Sequence, residues 1–255
     1  MLAAERKNLI LEKLQEEKKV VVSELSQLFD VSEETIRRDL DKLEKEGMCT
    51  KSYGGATLRE NSGIDLPSAI RQKKNMDGKK VIASILADMI NPGEHIFFDA
   101  STTALSILEQ LRDRELTVIT NSVEVMLAAS EDNDWKVIST GGTLFKQYMN
   151  MVGPLAMEGI ESINADKAIL SCKGIDLERG VTDANELISQ VKQTMLRQAN
   201  KVILAADYTK FDVIAFSHIC NVVDLDMIVT DRKPSQAWLT YFKEKGVECI
   251  YGQED

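Results

Sequence analysis

The chain has 255 residues, of which 44% are hydrophobic and 28% charged, and its formal net charge is −10. This length suffices for one small and one larger domain, each with a core of its own. No apolar run approaches the about 20 residues that a membrane span needs, and the N-terminus lacks a signal-peptide pattern. We therefore expect a cytoplasmic protein with no membrane partner.

The cysteines and histidines argue against metal binding and against disulfides. The four cysteines form no CxxC pair, so we expect reduced and mostly buried thiols at Cys49, Cys172, Cys220 and Cys249. The two histidines, His95 and His218, lie in or beside apolar runs, which favours a core or loop role over a metal role. We predict no metal and no cofactor.

The first helices of the chain have the spacing of a helix-turn-helix. Helix one is predicted over about 4–16, with an apolar stripe of Leu9, Ile10 and Leu14 and with Leu11 beside it. Helix two is predicted to begin at Ser23, which has N-cap chemistry, and to bury Leu25, Leu28 and Phe29. The link Asp30-Val31 is too short for anything but a tight bend.

Helix three separates its charges by face. Ser32 is the expected N-cap, followed by Glu33 and Glu34 at the positive end of the helix dipole. At 100° per residue, one buried stripe forms from Ile36, Leu40 and Leu43. The opposite face carries Arg38, Lys42 and Lys45, flanked by Thr35 and Arg37. Such a face is often only solvated, so by itself it leaves two interpretations open: a plain surface or a DNA contact.

A short hairpin is expected after helix three. Gly47 is a helix terminator, and Gly54-Gly55 supplies a turn between two short strands within 48–58. Three helices and a hairpin make a winged helix-turn-helix, which binds DNA. Lys51 and Tyr53 in this wing are candidates for phosphate contacts, although such side chains are as often plain surface. The predicted DNA-binding residues are Ser32, Thr35, Arg37, Arg38, Lys42, Lys51 and Tyr53.

The charge balance bears on this prediction. Residues 1–60 carry 11 Lys+Arg against 13 Asp+Glu, and the remainder carries 20 against 28. Because DNA affinity depends on neutralising phosphates, the acidic total argues against nucleic acid. The acidity, however, belongs mainly to the second part of the chain. The first part is nearly neutral, so selective contacts with weak general affinity are expected.

Domain limits follow from composition. We predict a DNA-binding domain over 1–58, a polar linker over 59–75 and a larger domain over 76–255, with a helix-like stretch over 68–90 after Pro67. Beyond it, β-rich runs alternate with helical ones, and those runs are 96–98, 117–120, 136–139, 167–171, 201–206 and 227–230. Alternation of this kind predicts an α/β domain with a parallel sheet flanked by helices.

Polar residues follow five of these predicted strands. Ligands bind outside the carboxyl ends of the strands in open α/β sheets, although Ser, Thr and Asp at such places also cap helices. The hydroxyls and N–H groups of 101–103 suit a phosphate, and Asp99 and Asp207 suit sugar hydroxyls. The predicted ligand-binding residues are Asp99, Ser101, Thr102, Thr103, Asn121, Ser122, Gly141, Gly142, Lys173, Gly174, Lys192, Asp207 and Lys210. Among them Lys173, Lys192 and Lys210 are the candidates to neutralise phosphate.

Several motifs together resemble the DeoR family of bacterial transcriptional regulators. The first is the run VSEETIRRDL over 31–40, followed by Leu43-Glu44 and by Gly54-Gly55-Ala56. The others lie in the larger domain: a D-x-G-T-T-like turn at 99–103, Gly-Gly at 141–142, G-I-D and G-x-T at 174–176 and 180–182, and D-x-x-K-F at 207–211. The resemblance covers both domains.

The resemblance implies a fold and a function. The fold is α/β, with a small N-terminal winged helix-turn-helix joined to a larger α/β sensor domain that resembles sugar-phosphate isomerases. The function is that of a repressor of a carbohydrate-metabolism operon, bound to double-stranded operator DNA and released by a phosphorylated sugar. Because one short recognition helix usually needs a partner on a second half-site, we expect a homo-oligomer. The sugar, the operator and the direction of the ligand effect stay open.

The chain departs from the family pattern at three places. Tyr53 stands where His is common, which changes the chemistry of the wing. Ser101 stands where Gly is common, and Ile188-Ser189 stands where Glu-Ala is frequent, so the helix before Lys192 lacks a carboxylate. The last departure bears on the alternative function, an isomerase carrying a DNA-binding domain. Isomerisation needs a positioned base, and beyond Asp99 or Asp207 no acid/base pair stands out. We therefore predict a regulator with no catalytic residues.

Overall fold

The computed structural model describes residues 2–45, 48–58, 68–112, 114–131 and 134–252. Their contacts divide the chain into two compact units, Met1–Arg71 and Gln72–Asp255. The expected helix terminator Gly47 and most of the predicted linker, 59–67, lie outside the described residues. The limits 1–58, 59–75 and 76–255 stay a prediction.

The first unit is a three-helix domain with a small antiparallel sheet. Its elements are α1 Ala3–Glu17, β1 Lys19–Val21, α2 Val22–Phe29, α3 Glu33–Lys45, β2 Cys49–Ser52 and β3 Gly55–Leu58. The sheet order is β1-β3-β2, so the predicted hairpin of β2 and β3 gains a third strand from the segment between α1 and α2. This strand was not predicted, because three residues are too few to show a period.

The core of the first unit confirms two predicted stripes and corrects one. The fully buried side chains of α1 and α3 include Ile10, Leu11, Leu14, Ile36, Leu40 and Leu43, whereas Leu9 lies at the margin of the core. Helix α2 begins at Val22 without a side-chain cap, so Ser23 is not its N-cap. Leu28 is 59% exposed, because it lies about 100° around the helix from Phe29.

The second unit is an α/β domain. The helix α4 Ser68–Lys73 leads into it, and its elements are α5 Met76–Met89, β4 His95–Phe98, α6 Thr102–Glu109, β5 Leu116–Thr120, α7 Val123–Ala129, β6 Trp135–Ser139, β7 Thr143–Phe145, β8 Asn150–Val152, α8 Pro154–Glu161, β9 Ala165–Leu170, β10 Gly174–Asp176, β11 Gly180–Asp183, α9 Glu186–Arg197, β12 Ala199–Ala205, β13 Ser217–Cys220, β14 Met227–Thr230, α10 Gln236–Lys245 and β15 Glu248–Tyr251.

A parallel sheet of seven strands, ordered β15-β14-β12-β9-β4-β5-β6, forms the centre of this unit. All six predicted strands belong to it, and the edge strand β15 was not predicted. Side chains alternate between two cores: Ile96 and Phe98 pack with α5 and α6, whereas Phe97 packs with α8 and α9. Strands buried on both faces between layers of helices are the expected result of βαβ crossovers.

The predicted helix over 68–90 is wrong as a single element. It is broken between α4 and α5, where Asn75 has φ 46°, a left-handed conformation that stops a helix. The Lys79 ammonium donates to the Lys74 carbonyl at 2.5 Å and closes the end of the first piece. The spacing of apolar residues in the sequence does not predict this break, because the break depends on one left-handed residue and on a side-chain hydrogen bond.

Two small sheets outside the parallel sheet were also not predicted. The hairpin of β7 and β8 lies beside the end of β5, where Ser122 and Asn150 form an isolated bridge. Strands β10, β11 and β13 form the other, antiparallel sheet. In the described ranges, no helix is long and apolar enough to cross a membrane.

The cysteine thiols are mostly buried, whereas both histidine imidazoles are exposed. Cys49, Cys172 and Cys220 are buried and Cys249 is half-buried, and all four are free thiols, as expected. His95 and His218 are exposed, so neither belongs to the core, and the His95 ring lies 3.3 Å from the Asp166 carboxylate. Each lies near the start of its strand, before the residues of β4 and β13 that enter the core.

Candidate functional site

The turn between α2 and α3 is held by hydrogen bonds. Asp30 takes a left-handed conformation with φ 52°, and the Ser26 hydroxyl donates to the Val31 carbonyl at 2.6 Å. At the start of α3, the Thr35 N–H donates to Ser32 Oγ at 3.2 Å, and the two hydroxyls lie 2.9 Å apart. Ser32 is thus the N-cap that the sequence predicted, and the helix-turn-helix is rigid at its bend.

The outer face of α3 presents cations that are partly paired. The Arg37 Nη2 atom lies 2.5 Å from Glu33 Oε2, and Arg38 Nε lies 3.2 Å from Glu34 Oε1. In each pair the two residues are one turn apart on the same helix. Lys42 and Lys45 are exposed beside them. Exposed pairs of this kind contribute only about 0–1 kcal/mol. The guanidinium groups can therefore exchange these carboxylates for DNA phosphates at little cost.

The wing carries one fully exposed aromatic side chain and one tethered cation. Tyr53 stands at the tip of the hairpin, next to Gly54 with φ 83°. The Lys51 ammonium pairs with Asp41 of α3, and its backbone N–H donates to Glu44 at 2.8 Å. The predicted contact residue Lys51 therefore also fixes the wing to the recognition helix.

A buried ion pair in the first unit was missed by the sequence reasoning. Arg6 Nε of α1 lies 2.6 Å from Asp39 Oδ2 of α3, and the two side chains are only 8% and 4% exposed. The pair fixes how α3 is rotated against α1, and therefore which side chains α3 presents. One signal was available: Asp39 lies three residues after Ile36, within the apolar stripe, where a charge needs a buried partner.

In the second unit the predicted strand-end residues lie along one edge of the sheet. Because all seven strands are parallel, the residues that follow β4, β5, β6, β9 and β12 share the carboxyl edge. The chain runs from β4 to β5 and β6 on one side, and from β9 to β12 and β14 on the other. The topological switch point therefore lies between β4 and β9, the place where open α/β sheets bind ligands.

A buried cation occupies this switch point. Lys192 Nζ of α9 lies 2.9 Å from Asp99 Oδ2 and 2.7 Å from Asp183 Oδ2, and it donates to the Ser171 carbonyl at 2.7 Å. Asp99 Oδ2 also accepts the Ser171 N–H at 2.8 Å. The ammonium has three donors, so these partners use all of them. The sequence predicts that Lys192 neutralises a ligand phosphate. In the structure the carboxylates of Asp99 and Asp183 already balance the charge of Lys192.

Mutual attraction favours the charged forms of Asp183 and Lys192. Burial by itself raises the pKa of Asp183, but the Lys192 ammonium and its hydrogen bond outweigh burial, so this pKa lies below the usual 3.8. Burial likewise disfavours charge on Lys192, but Asp183 and Asp99 outweigh it and raise the pKa of the ammonium. The neighbouring Cys172 thiol has its pKa raised to about 12 by burial, so it stays neutral.

Three polar residues of the predicted site cap local structure. Ser101 Oγ accepts the Ala104 N–H at 3.0 Å and caps α6, and Ser122 Oγ accepts the Val125 N–H at 3.2 Å and caps α7. Asp207 Oδ1 accepts the Thr209 N–H at 3.0 Å, and its other oxygen lies 3.8 Å from Lys210 Nζ. Capping therefore accounts for part of the polar pattern, as the alternative interpretation held.

The glycines at this edge allow close packing of the chain itself. A Cβ on Gly142, which has φ 116°, would lie 2.8 Å from Ala156 Cβ, and a Cβ on Gly174 would lie 2.2 Å from the Val213 carbonyl oxygen. Both contacts are with protein rather than with an open crevice. The structure thus explains these two glycines by packing alone.

Buried oxygens without donors lie at the ends of β4 and β5. They are Oδ1 of Asp99, Asn121 and Asn150, and no described group of the chain donates to them. Asn150, in the β7–β8 hairpin, was missed by the sequence reasoning. The available signal was a lone amide between Met149 and Met151. Thr102 and Thr103 are buried in the first turn of α6, beside Asp99.

The sequence was compared with known families and proteins. Residues 6–62 match the family model described as the DeoR-like helix-turn-helix domain, and residues 74–232 match the DeoR C terminal sensor domain. The uncharacterized HTH-type transcriptional regulator YulB of Bacillus subtilis is 39% identical, over 97% of this chain and 96% of YulB. The HTH-type transcriptional repressor GlcR of the same organism is 31% identical, over 100% of this chain and 98% of GlcR.

Among solved structures, ribose 5-phosphate isomerase A from Methanocaldococcus jannaschii is similar to part of the chain. The TM-score is 0.40 at 14% identity, over 54% of this chain and 55% of that one, which is too low to carry an argument about function. The two family models, by contrast, cover both units, and the relatives are similar over nearly their whole length. The chain belongs to the DeoR family and is a DNA-binding transcriptional regulator.

Proposed function

We propose that the protein is a repressor of a carbohydrate-metabolism operon and that a phosphorylated sugar, bound at the carboxyl edge of the sheet, modulates its binding to operator DNA. The observation that carries this proposal is the switch point between β4 and β9. Buried charges and unpaired acceptors meet there, on the strand ends from which α6 and α7 begin. Sites of this construction are typical of ligand binding rather than of stability alone.

The two ends of such a ligand have different partners in this proposal. The first turn of α6, with the backbone N–H groups of Thr102 and Thr103, suits the phosphate, because N-terminal amides of a helix lack intrahelical acceptors. Lys173 and Lys210 add positive charge near this edge. Asp99 and Asn121 suit the sugar hydroxyls. Lys192 supports the site by holding Asp99 in place.

On the DNA side we propose contacts from α3 and the wing. The exposed positions of Arg37, Arg38, Lys42 and Tyr53 support this assignment, and Ser32 and Thr35 lie at the end of α3 that enters a groove in this motif. We further propose that the protein acts in the cytoplasm as a homo-oligomer, since paired half-sites need paired recognition helices.

We propose that the protein does not catalyse isomerisation. Asp99 Oδ2 is held by a cation and an amide, and Asp207 Oδ1 caps a turn, so one oxygen of each carboxylate is already engaged within the protein. The position one turn before Lys192 on α9 is occupied by the buried Ile188. Turnover of any pentose or hexose phosphate by the purified protein would contradict this proposal.

Replacing Arg38 with alanine will weaken DNA binding. The guanidinium is exposed, and the loss of one contact to phosphate or base removes about 1–3 kcal/mol, or roughly fivefold to 150-fold in Kd. Fluorescence anisotropy will measure this with a duplex that the wild-type protein has selected from a random-sequence pool. Arg112→Ala, in the second unit, is the control and should bind normally. Unchanged affinity of Arg38→Ala would remove α3 from the interface.

A thermal-shift panel tests the effector class. It contains ribose 5-phosphate, glucose 6-phosphate, fructose 6-phosphate, glycerol 3-phosphate and inorganic phosphate. A ligand at a hundred times its Kd adds about 2.7 kcal/mol to the stability of the folded state, which is an easily measured rise in Tm. We expect at least one sugar phosphate to raise Tm and to change DNA affinity. If no member does either, the proposed effector class is wrong.

A further inference from the structure

Three buried oxygens at the carboxyl edge of the sheet have no hydrogen-bond donor in the described part of the chain. They belong to Asp99, Asn121 and Asn150, whose residues are 1%, 2% and 1% exposed. Leaving a buried acceptor unpaired is unfavourable by about 1–3 kcal/mol. Buried polar groups in native proteins are nearly always satisfied, so three exceptions in one place point to a ligand.

The three residues are neighbours in the fold. Phe98 and Thr120 are paired in the parallel sheet, so Asp99 and Asn121, the next residues along, lie side by side. Ser122 is bridged to Asn150, and the Met151 N–H donates to the Asn121 carbonyl at 2.7 Å. The hairpin of β7 and β8 thus carries Asn150 to the end of β5. The three side chains come from three separate segments of the chain.

The unpaired atoms of the set are all acceptor oxygens. Asn121 Nδ2 donates to the Met151 carbonyl at 2.9 Å, which fixes the orientation of this amide, because the reversed amide would oppose two oxygens. Asp99 Oδ2 lies 2.9 Å from Lys192 Nζ and accepts the Ser171 N–H, which leaves Oδ1 as the unpaired acceptor. Acceptors repel the oxygens of a phosphate and attract hydroxyl protons. The set therefore matches the polyol part of a ligand.

We propose that Asn150 is a specificity-determining residue of the effector site, and that it reads ligand hydroxyl groups together with Asp99 and Asn121. This inference rests on the proposed function. It adds that the polyol end of the sugar phosphate lies under the β7–β8 hairpin. Neighbouring free hydroxyls are required there, and the phosphate lies outside the acceptor set. A ligand that lacks one of these hydroxyls leaves a buried acceptor unpaired, which is the strongest form of discrimination by a polar site.

The experiment compares Asn150→Leu with wild type by calorimetric titration. The probes are the panel member that gives the largest thermal shift, each of its monodeoxy analogues and inorganic phosphate. We expect at least one deoxy analogue to bind wild type about tenfold or more weakly than the parent sugar. In Asn150→Leu the parent should lose about tenfold in affinity, and the penalty for that analogue should disappear. The affinity for inorganic phosphate should not change.

Two further variants keep the test decisive. Asn150→Ser retains a neutral acceptor and adds no buried charge beside Asp99, so it should keep a measurable penalty for the deoxy analogue, even if Asn150→Leu does not fold. Asn91→Leu makes the same change at the opposite edge of the sheet, where the Asn91 amide bonds to Glu94, and it should bind normally.

The outcomes separate this inference from the proposed function. If Asn150→Leu binds the parent normally and keeps every deoxy penalty, Asn150 does not read the ligand, and the proposed function still stands. If Asn150→Leu changes stability alone, the three oxygens hold a buried water instead, and the inference is overturned. If Asn150→Ser loses discrimination as fully as Asn150→Leu, the acceptor is not the feature that matters. If no panel member binds wild type, both proposals fail.

Discussion

Replacing Lys192 with methionine will destabilise the second unit by about 3–5 kcal/mol, because Asp99 and Asp183 will stay buried without their cation. Methionine keeps the length and the apolar stem of lysine, so the loss reports mainly on charge. Urea unfolding followed by the fluorescence of the two tryptophans, Trp135 and Trp238, will measure it, since both lie in this unit.

The matched control for this variant is Lys201→Met. The Lys201 ammonium lies 4.0 Å from Glu248, and their side chains are 39% and 58% exposed, so the pair contributes at most about 1 kcal/mol. A loss in Lys192→Met no larger than in this control would mean that the cluster at the switch point is not held by charge.

Because of the cluster of Lys192, Asp99 and Asp183, the unfolding free energies of wild type and Lys192→Met should change with pH in opposite directions. In wild type, the pKa of Asp183 is lower in the folded state than its usual 3.8, so the stability that this carboxylate contributes is present above about pH 4 and is lost as pH falls through the folded pKa. In Lys192→Met the buried carboxylates have no cation, and protonation relieves them. The unfolding free energy of the variant should therefore rise between pH 7 and pH 5, whereas the contribution of Asp183 in wild type stays constant there.

Replacing Arg6 with methionine will disrupt the DNA-binding unit. Asp39 will then be a buried, unpaired carboxylate, and breaking such a pair costs about 3–5 kcal/mol. A unit of about 70 residues has a total stability of only roughly 4–10 kcal/mol, so about a third of it or more will be lost. Amide hydrogen exchange in α1 and α3 should become fast, and DNA binding should fail at 37 °C.

The control for this prediction is Lys13→Met on the same helix. Lys13 pairs with Glu17 at 2.5 Å, but the two side chains are 32% and 47% exposed, so the change should be nearly neutral. Slow hydrogen exchange in both variants would show that Arg6 does not hold α3 in position.

Much of the fold followed from periodicity. The stripe of Ile36, Leu40 and Leu43 and the six buried strands of the parallel sheet were predicted, because burial imposes a regular spacing of apolar residues. The break at Asn75 and the hairpins β7–β8 and β10–β11 were not, since they depend on one left-handed residue and on strands of three or four residues. Leu28 was predicted to be buried because it is apolar. It is exposed because its angle around α2 places it outside the buried stripe.

At the candidate sites, too, the positions of strand-end residues were predictable and the long-range contacts were not. Residue types at strand ends predicted where Asp99 and Asn121 lie, because parallel strands share one edge. The partners of charged residues were not predictable: Arg6 and Asp39 are 33 positions apart, and Lys192 meets Asp99 only after the chain has crossed from β4 to β5, β6 and β9. Asn150 reaches the edge through a hairpin that has no strong pattern in the sequence. Long-range contacts of this kind require the fold.

The central claim is that a sugar phosphate at the carboxyl edge of the sheet changes the affinity for DNA. The most direct measurement is the anisotropy of the selected duplex, titrated with wild type and with Asp99→Asn, with and without the best sugar phosphate of the panel. We expect the sugar phosphate to change the affinity of wild type about tenfold or more, and to leave that of Asp99→Asn unchanged, while both bind DNA equally in its absence. An Asp99→Asn protein that responds to the sugar phosphate as wild type does would contradict the account.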